Sequence, residues 1–185
     1  MNSVNRALLI VDMQNDYFPG GKMELVGIEK AAENAGRLLA MFRGTGQPIF
    51  HIQHLSTKPG ASFFLPDTAG VEIHPSVAPQ GKEFVIRKHF PNSFRETALL
   101  EEMWKRDVNE LVVCGAMSHM CIDTTVRAGF DLGVSWIVIA DGCATRDLVF
   151  GDQIIEAAQV HGAYMASLAS GFAKVTALSG LSAML

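Results

Sequence analysis

Charged residues are scarce in this chain, and long runs of any single kind are missing. They form 18% of the 185 residues against 49% hydrophobic residues, and the formal net charge is −4. No basic run occurs, so we expect no nucleic-acid partner. The longest apolar runs, such as 7–11, have the length of a strand, so we expect no membrane association. This composition excludes a disordered chain and allows a large core.

Cysteines are few as well. The three, Cys114, Cys121 and Cys143, form an odd set without CxxC spacing, which argues against a disulfide framework. The N-terminal stretch MNSVNRALLIVD has one Arg and a very short apolar run, unlike a secretory signal peptide. We therefore expect a cytoplasmic location and one domain over 1–185.

Apolar segments of strand length alternate with segments of helical period. Strands are predicted at 7–11, 48–54, 83–88, 110–115, 134–140 and 173–177, and helices at 28–42, 93–106, 119–132 and 147–168. The second helix rests on the capping-box pattern SFRE, which starts at Ser93. This alternation predicts an α/β fold, a doubly wound three-layer sandwich around a mostly parallel sheet of about six strands.

Three reactive side chains fall at the carboxyl ends of predicted strands, where sheets of this kind bind their ligands. Asp12 closes the first strand, Lys88 closes the third, and Cys121 follows the fourth. Each alone has a structural explanation: a turn residue, a solvated lysine or a small buried hydrophobe. Together, an acid, a base and a thiol at one sheet edge form a plausible catalytic set.

Among the cysteines, Cys121 is predicted to be the reactive one. With Ser118 as N-cap, Cys121 stands in the first helical turn, where the helix terminus and Lys88 are expected to lower the thiol pKa. Asp12 is then expected to take the thiol proton. Cys114 lies within an apolar strand and is expected to be inert, and Cys143 has no evident activating partner.

Three motifs taken together resemble those of the isochorismatase-like cysteine hydrolases, which include nicotinamidases and other small amidases. They are LIVDMQNDYF at 9–18, Lys88 in a strand and GAMSHMC at 115–121, and the resemblance extends from about residue 7 to 175. It implies a catalytic triad with Asp12 as general base, Lys88 as stabilising cation and Cys121 as nucleophile. It also implies a cis peptide between Ala116 and Met117, with the amides of Met117 and Cys121 as oxyanion hole.

The resemblance favours a hydrolase that cleaves a C–N (amide-type) bond of a small-molecule substrate through an acyl-enzyme on Cys121. Two alternatives stay open. One is a non-amide hydrolase, such as an isochorismatase, which cleaves a vinyl ether without a cysteine. The other is a non-catalytic, thiol-reactive protein on the same fold. A nucleotide-binding protein is disfavoured, because the sequence has neither G-x-G-x-x-G after the first strand nor a Walker A motif.

No metal and no other cofactor is expected. Nicotinamidases carry an Asp-x-His metal motif after the second strand, where this chain has HIQHL at 51–55. His54 and His74 are therefore expected to bond backbone or substrate. The missing motif also weakens nicotinamide as the substrate.

The pocket walls are predicted from residues that flank the three reactive side chains. The predicted substrate-binding residues are Gln14, Tyr17, Phe18, His54, Phe63, Phe64, Asn92 and Phe94. The aromatic members are explained by a cage over a small acyl group, or equally by burial or a subunit contact. The irregular stretch 55–80 is expected to set specificity, alone or with a neighbouring subunit, and we expect a homo-oligomer.

Overall fold

The computed structural model describes residues 4–181 and contains eight strands. They are β1 (Arg6–Val11), β2 (Ile49–His54), β3 (Phe84–Lys88), β4 (Glu110–Ala116), β5 (Ser135–Ala144), β6 (Leu148–Phe150), β7 (Gln153–Ile155) and β8 (Lys174–Thr176). Six form one sheet in the order β3-β2-β1-β4-β5-β8, with every neighbouring pair parallel. The strand order reverses between β1 and β4, which is where such sheets bind ligands.

The sheet is covered on both faces, so its central strand β1 is continuously apolar from Ala7 to Val11 rather than alternating. In β1, Leu8 and Ile10 belong to one core, and Ala7, Leu9 and Val11 belong to the other. The helices are α1 (Ile28–Thr45), α2 (Leu99–Trp104), α3 (Asp123–Asp131), α4 (Ala157–Ala169) and α5 (Leu178–Leu181). Side chains of α1 and α5 join the first core, and those of α2, α3 and α4 join the second. The predicted three-layer α/β sandwich is thereby confirmed.

None of the helices within residues 4–181 combines the length and the apolar character needed to cross a bilayer.

The helix predicted from residue 93 begins later, at Leu99. Ser93 does not cap it, because its amide and its side chain are both hydrogen-bonded to the side chain of Thr125. The Ser93 amide donates to the Thr125 hydroxyl at 3.0 Å, and that hydroxyl donates to the Ser93 side chain at 2.9 Å. A contact 32 residues away therefore overrides the local capping pattern.

The first part of the helix predicted at 147–168 is instead an antiparallel hairpin, β6–β7. Five of its six strand residues are β-branched, aliphatic or aromatic, and Gly151 at the turn has φ +60°, a conformation suited to glycine. The helix starts only at Ala157, whose amide donates to the Asp147 carboxylate at 2.7 Å.

Candidate active site

Asp12, Lys88 and Cys121 meet at the carboxyl edge of the sheet. The Lys88 ammonium donates to Asp12 Oδ2 at 2.7 Å and to the Cys121 sulfur at 3.2 Å. It also lies 2.9 Å from Nδ1 of His54. Lys88 and Asp12 are fully buried, and Cys121 is 5% exposed. We call these four residues the Lys88 cluster.

Parallel strands position this cluster. Asp12 directly follows β1 and has φ +52°, a left-handed conformation that Asp adopts more readily than most residues. His54 and Lys88 are the last residues of β2 and β3 and are paired in register. Because the sheet order is β3-β2-β1-β4, the carboxyl ends of four consecutive strands bring Lys88, His54, Asp12 and Cys121 to one point.

Cys121 lies in a π-helical turn, Ser118–Ile122, that precedes α3. Met117, not Ser118, precedes the first residue of this turn. The predicted N-cap therefore does not form, because the Ser118 hydroxyl is engaged elsewhere. It lies 2.8 Å from Nδ1 of His161 and 3.3 Å from the Ala144 carbonyl.

The pKa shifts in the cluster favour a charged Lys88 beside a protonated thiol. Burial disfavours the ammonium, but the Asp12 carboxylate, together with the Cys121 sulfur when it is ionised, outweighs burial and raises the pKa of Lys88. Burial, followed by the Asp12 carboxylate, raises the pKa of the Cys121 thiol, and Lys88 only partly compensates. The expected lowering of the thiol pKa is therefore wrong for the resting site, because the helix terminus does not offset desolvation.

One oxygen of the buried cluster is left without a hydrogen bond. Asp12 Oδ2 accepts from Lys88, but Oδ1 has no partner within the described residues. A buried carboxylate oxygen without a donor is costly and is rarely left so without reason. Here a carboxylate oxygen of Asp12 lies within 4.8 Å of the Cys121 sulfur.

The segment that leads into the turn of Cys121 has an unusual backbone. The peptide bond between Ala116 and Met117 is cis. Over residues 4–181, the Met117 amide donates to no backbone carbonyl, whereas the amides of Met120 and Ile122 both donate to the Met117 carbonyl. Gly115, with φ +133°, is required beside this bond, because a Cβ there would overlap the Val11 carbonyl.

A cavity of about 390 Å³ opens above Cys121. Four of the predicted pocket residues line it: Tyr17, His54, Phe63 and Phe64. The three aromatic rings pack together, with ring centres 4.6 Å apart for Tyr17 and Phe64 and 5.0 Å apart for Phe63 and Phe64. They form one apolar wall, as expected of an aromatic cage.

The irregular stretch after β2 supplies most of the other wall, from Ser56 to Ser62. It is anchored from beneath by Asp16, whose carboxylate accepts the Phe64 amide at 2.6 Å and the Lys22 amide at 3.3 Å. A Cβ at Gly70 would overlap this carboxylate, so a glycine is needed there. The stretch is thus fixed by the Asp16 side chain and by a glycine packed against it.

Gln14 does not reach the cavity and instead has a structural role. Its side-chain nitrogen donates to the carbonyls of His54 and Val71, and its oxygen accepts the His54 amide at 2.8 Å. The Gln14 side chain is fully buried, so it joins the end of β2 to the irregular stretch.

Phe18, Asn92 and Phe94, also predicted for the pocket, lie outside its lining. Phe18 stacks on His74 with ring centres 3.6 Å apart. Asn92 accepts the Phe94 amide in a local turn. Phe94 packs against Trp136 in the second core. Each follows a reactive residue in sequence, but the turn after the strand carries it away from the cavity.

Several lining residues had no prediction: His89, Met120 and the individual positions of 56–62. His89 is fixed by a 2.9 Å contact from Nδ1 to the Leu55 carbonyl. Its place directly after Lys88 was the one available signal. Met120 directly precedes Cys121 in a turn whose π-helical geometry the helical period does not reveal.

The side chains of Asp12, His54 and Cys121 carry atoms of the kinds that bind metals, within 4.8 Å of one another. In this structure the Lys88 ammonium makes contacts with all three residues. These three residues already share the positive charge of the Lys88 ammonium, so the arrangement does not fit an additional metal ion. His74 lies outside this group, in contact with Ser76 at 2.8 Å.

The other two cysteines differ from Cys121 in access. Cys114 is fully buried in β4 and Cys143 is buried in β5, and neither lines the cavity. Burial raises the pKa of Cys114, and it raises the pKa of Cys143 to about 12. All three cysteines are free thiols.

Known proteins resemble this chain over nearly its whole length. The isochorismatase family protein YddQ of Bacillus subtilis is 54% identical over 169 residues, which is 91% of this chain and 94% of YddQ. The secreted isochorismatase effector Isc1 of Verticillium dahliae is 34% identical over 89% of this chain and 84% of its own. A crystal structure described as an isochorismatase hydrolase, from Oleispira antarctica, superimposes with a TM-score of 0.94 at 47% identity, covering 99% of both chains.

Two more distant relatives have names that specify a reaction. A streptothricin hydrolase of Streptomyces noursei is 35% identical over 77% of this chain and 51% of its own. The nicotinamidase of Escherichia coli is 27% identical over 75% of this chain and 82% of its own. The sequence profile of the Isochorismatase domain matches residues 6–170. This chain therefore belongs to the isochorismatase family of hydrolases.

Proposed function

We propose that this protein hydrolyses the C–N bond of a small amide-type compound through an acyl-enzyme on Cys121. One observation carries the proposal. The Lys88 ammonium bonds Asp12 and the Cys121 sulfur at once, Asp12 Oδ1 has no hydrogen-bond partner within the described residues, and Cys121 lines a cavity. A thiol, a cation and a free carboxylate oxygen at one point are what acyl transfer needs.

In the acylation step, Asp12 takes the thiol proton as the sulfur attacks the substrate carbonyl carbon. A C–S bond forms, and the carbonyl π electrons move onto oxygen. The Met117 and Cys121 amides are proposed to hold this oxyanion. When the carbonyl re-forms, the C–N bond breaks, and Asp12 returns the proton to the departing nitrogen, which leaves as ammonia or an amine.

Water completes the cycle. Asp12 takes a proton from water, and the hydroxide attacks the thioester carbonyl. The C–S bond then breaks, the thiol regains its proton from Asp12, and a carboxylic acid leaves. The raised pKa of Cys121 fits this scheme, because proton transfer accompanies attack instead of preceding it. The positive charge of Lys88 compensates the thiolate whenever it forms.

The cavity favours a small substrate with an apolar acyl group. Its volume is about 390 Å³, and Tyr17, Phe63 and Phe64 line one side. Among residues 4–181, no Asp or Glu lines the cavity, and Lys58 does. A cationic substrate would find no counter-charge on these walls, so we propose a neutral or anionic amide. The relatives named nicotinamidase and streptothricin hydrolase support C–N bond hydrolysis.

A second candidate is cleavage of a vinyl ether. It is supported by Isc1, the relative named as an isochorismatase effector, which is 34% identical to this chain. That reaction needs no thiol nucleophile, so the cysteine separates the two candidates.

The cellular setting and assembly are also proposals. Three free thiols are compatible with a reducing cytoplasm, where we place the protein. We propose that copies of the chain associate. The β6–β7 hairpin supports this, since Val149, Phe150 and Ile154 are each at least 70% exposed. Light scattering behind size exclusion would measure the assembly.

The direct test is a screen of small neutral, anionic and cationic amides for release of ammonia or amine. We expect turnover of a neutral or anionic member, and its loss in Cys121→Ala. Cys143→Ser is the matched control, since it alters a buried cysteine outside the cavity and is expected to stay active. Amide turnover that survives Cys121→Ala would contradict the acyl-enzyme. Cleavage of a vinyl ether, with no amide turned over, would favour the second candidate.

A further inference from the structure

His54 belongs to the Lys88 cluster but has no part in the mechanism above. An ammonium group has three protons to donate and no lone pair. Lys88 has three neighbours that can accept: Asp12 Oδ2 at 2.7 Å, His54 Nδ1 at 2.9 Å and the Cys121 sulfur at 3.2 Å. His54 thus accepts a hydrogen bond from the third ammonium proton, which Asp12 and Cys121 leave free. Lys88 is fully buried, so no solvent would take that proton in its place.

This contact fixes the tautomer of the ring. Because Lys88 only donates, Nδ1 of His54 must be the acceptor, and the ring proton then sits on Nε2. Across residues 4–181, Nε2 has no hydrogen-bond partner, and the His54 ring lines the cavity. One nitrogen therefore faces Lys88, and the other leaves an N–H available inside the cavity.

The surrounding charges keep the ring neutral. The charged or titratable groups around His54 are Lys88, Asp12, Cys121, His89 and Lys58. Burial, followed by the positive charge of Lys88, lowers the pKa of His54 to about 4, against the opposing effect of Asp12. A neutral ring is what the tautomer requires, because a protonated Nδ1 could not accept from Lys88.

We propose that His54 acts through both nitrogens. Through Nδ1 it is a positioning residue that holds the Lys88 ammonium between Asp12 and the sulfur. Through Nε2–H it is a specificity residue that donates a hydrogen bond to a substrate oxygen or nitrogen next to the scissile bond. The substrate class is thereby narrowed to amides with an acceptor group beside the acyl carbon. This second role rests on the proposed amide hydrolysis, and the first does not.

Two substitutions separate the two nitrogens. The His54→Asn side chain keeps an oxygen near the position of Nδ1 and loses the cavity donor. The His54→Gln side chain reaches the position of Nε2 and loses the acceptor near Lys88. His54→Phe removes both functions and retains a ring beside Phe64, whose centre lies 5.9 Å away. His74→Asn is the control, because His74 lies outside the cavity lining.

The positioning role is measured without any substrate, through the rate at which iodoacetamide labels Cys121 as the pH is raised. Without the Nδ1 acceptor, Lys88 loses its proton more readily and stabilises the thiolate less. The labelling midpoint should then move up by about half a pH unit or more in His54→Gln and His54→Phe. It should stay unchanged in His54→Asn and His74→Asn. Thermal melts of each variant verify that it is folded.

The specificity role is measured with an amide found in the screen. His54→Asn should raise KM about tenfold with kcat within about threefold, and His54→Gln should lower kcat more than it changes KM. Equal labelling midpoints in wild type and a folded His54→Phe variant would overturn the positioning role. Equal KM values in wild type and His54→Asn would overturn the specificity role. If no amide is turned over, the proposed function fails, while the labelling series still decides whether His54 positions Lys88.

Discussion

The two histidines of β2 belong to two ionic clusters, one largely buried and one half-buried, that contain similar groups but differ in their hydrogen bonding. His54 joins the Lys88 cluster at the carboxyl end of the strand. Three residues earlier, His51 contacts Glu83 at 2.9 Å, and Arg43 donates to the same carboxylate at 2.6 and 2.8 Å. The Gln80 amide adds a fourth contact at 2.9 Å. We call this second group the Glu83 cluster.

The carboxylates show the difference. Both oxygens of Glu83 accept hydrogen bonds, whereas Asp12 has one oxygen with a donor and one without. The Glu83 cluster does have an unpaired buried atom, Nδ1 of His51, but that atom is neutral and borders no reactive group. A carboxylate whose two oxygens both accept hydrogen bonds stabilises structure. A carboxylate with one oxygen free beside a thiol can accept and return a proton.

The strongest way to break this comparison is to neutralise each carboxylate in turn. Asp12→Asn should lower kcat/KM by about a thousandfold or more, because the amide cannot accept the thiol proton. Glu83→Gln, the matched change, should leave kcat/KM within about threefold. Steady-state rates on the amide identified by the screen, with melting curves for both proteins, measure this. Comparable losses in both variants would mean that the two clusters do not differ in kind.

The relative reactivity of the three thiols gives a second test. Although burial raises the pKa of all three, only Cys121 lines the cavity, so a small electrophile should label it first. We expect it to label at least about tenfold faster than Cys143 at pH near 8, and to label slowly at mildly acidic pH. Peptide mapping after limited alkylation gives the order. Cys114 or Cys143 labelling ahead of Cys121 would refute it.

The smallest effect is a pH-dependent loss of stability from the Glu83 cluster. Burial opposes ionisation of Glu83, but hydrogen bonds from Arg43, Gln80 and His51 outweigh it and lower its pKa from 4.5 to about 2. Its folded pKa is thus below its unfolded value, so its stabilisation is complete above pH 4.5 and fades as the pH falls toward 2. Burial also lowers the pKa of His51, which adds a loss as the pH falls below 6.5.

Glu83→Gln should therefore cost about 1–3 kcal/mol in the free energy of unfolding at neutral pH. Between pH 4.5 and 2, its stability should fall less steeply than that of the wild type. Urea unfolding at several pH values measures both. Parallel stability curves for the two proteins in that pH range would show that Glu83 is not the titrating group.

Sequence patterns located the sheet well because its strands are buried on both faces. A continuous apolar run such as 111–114 leaves little choice of structure, and β4 (Glu110–Ala116) forms around it. Patterns failed where a distant residue decides. Thr125 draws Ser93 away from its capping role, and the hairpin at 148–155 lies in a stretch that also carries a helical period.

The candidate site divides in the same way. Asp12, Lys88 and Cys121 were predictable because parallel strands end at a common edge, so their order along the chain implies their meeting. The contact between His54 and Lys88 depends on the register of β2 and β3, which sequence alone does not give. The turn geometry that turns Phe94 away from the cavity, and the desolvation that raises the pKa of Cys121, are likewise properties of the folded chain.

The three acceptors around Lys88 restrict the shape of the cation at this position as well as its charge. An ammonium is a compact point with three divergent donors, whereas a guanidinium is a flat fork. Asp12, His54 and Cys121 approach from three different elements, β1, β2 and the turn after β4, and leave a fully buried side chain between them. An arginine would preserve the charge and still not fit. Position 88 therefore requires the compact shape of an ammonium as well as its charge. Lys88→Arg keeps the charge, and we still expect it to disrupt the site.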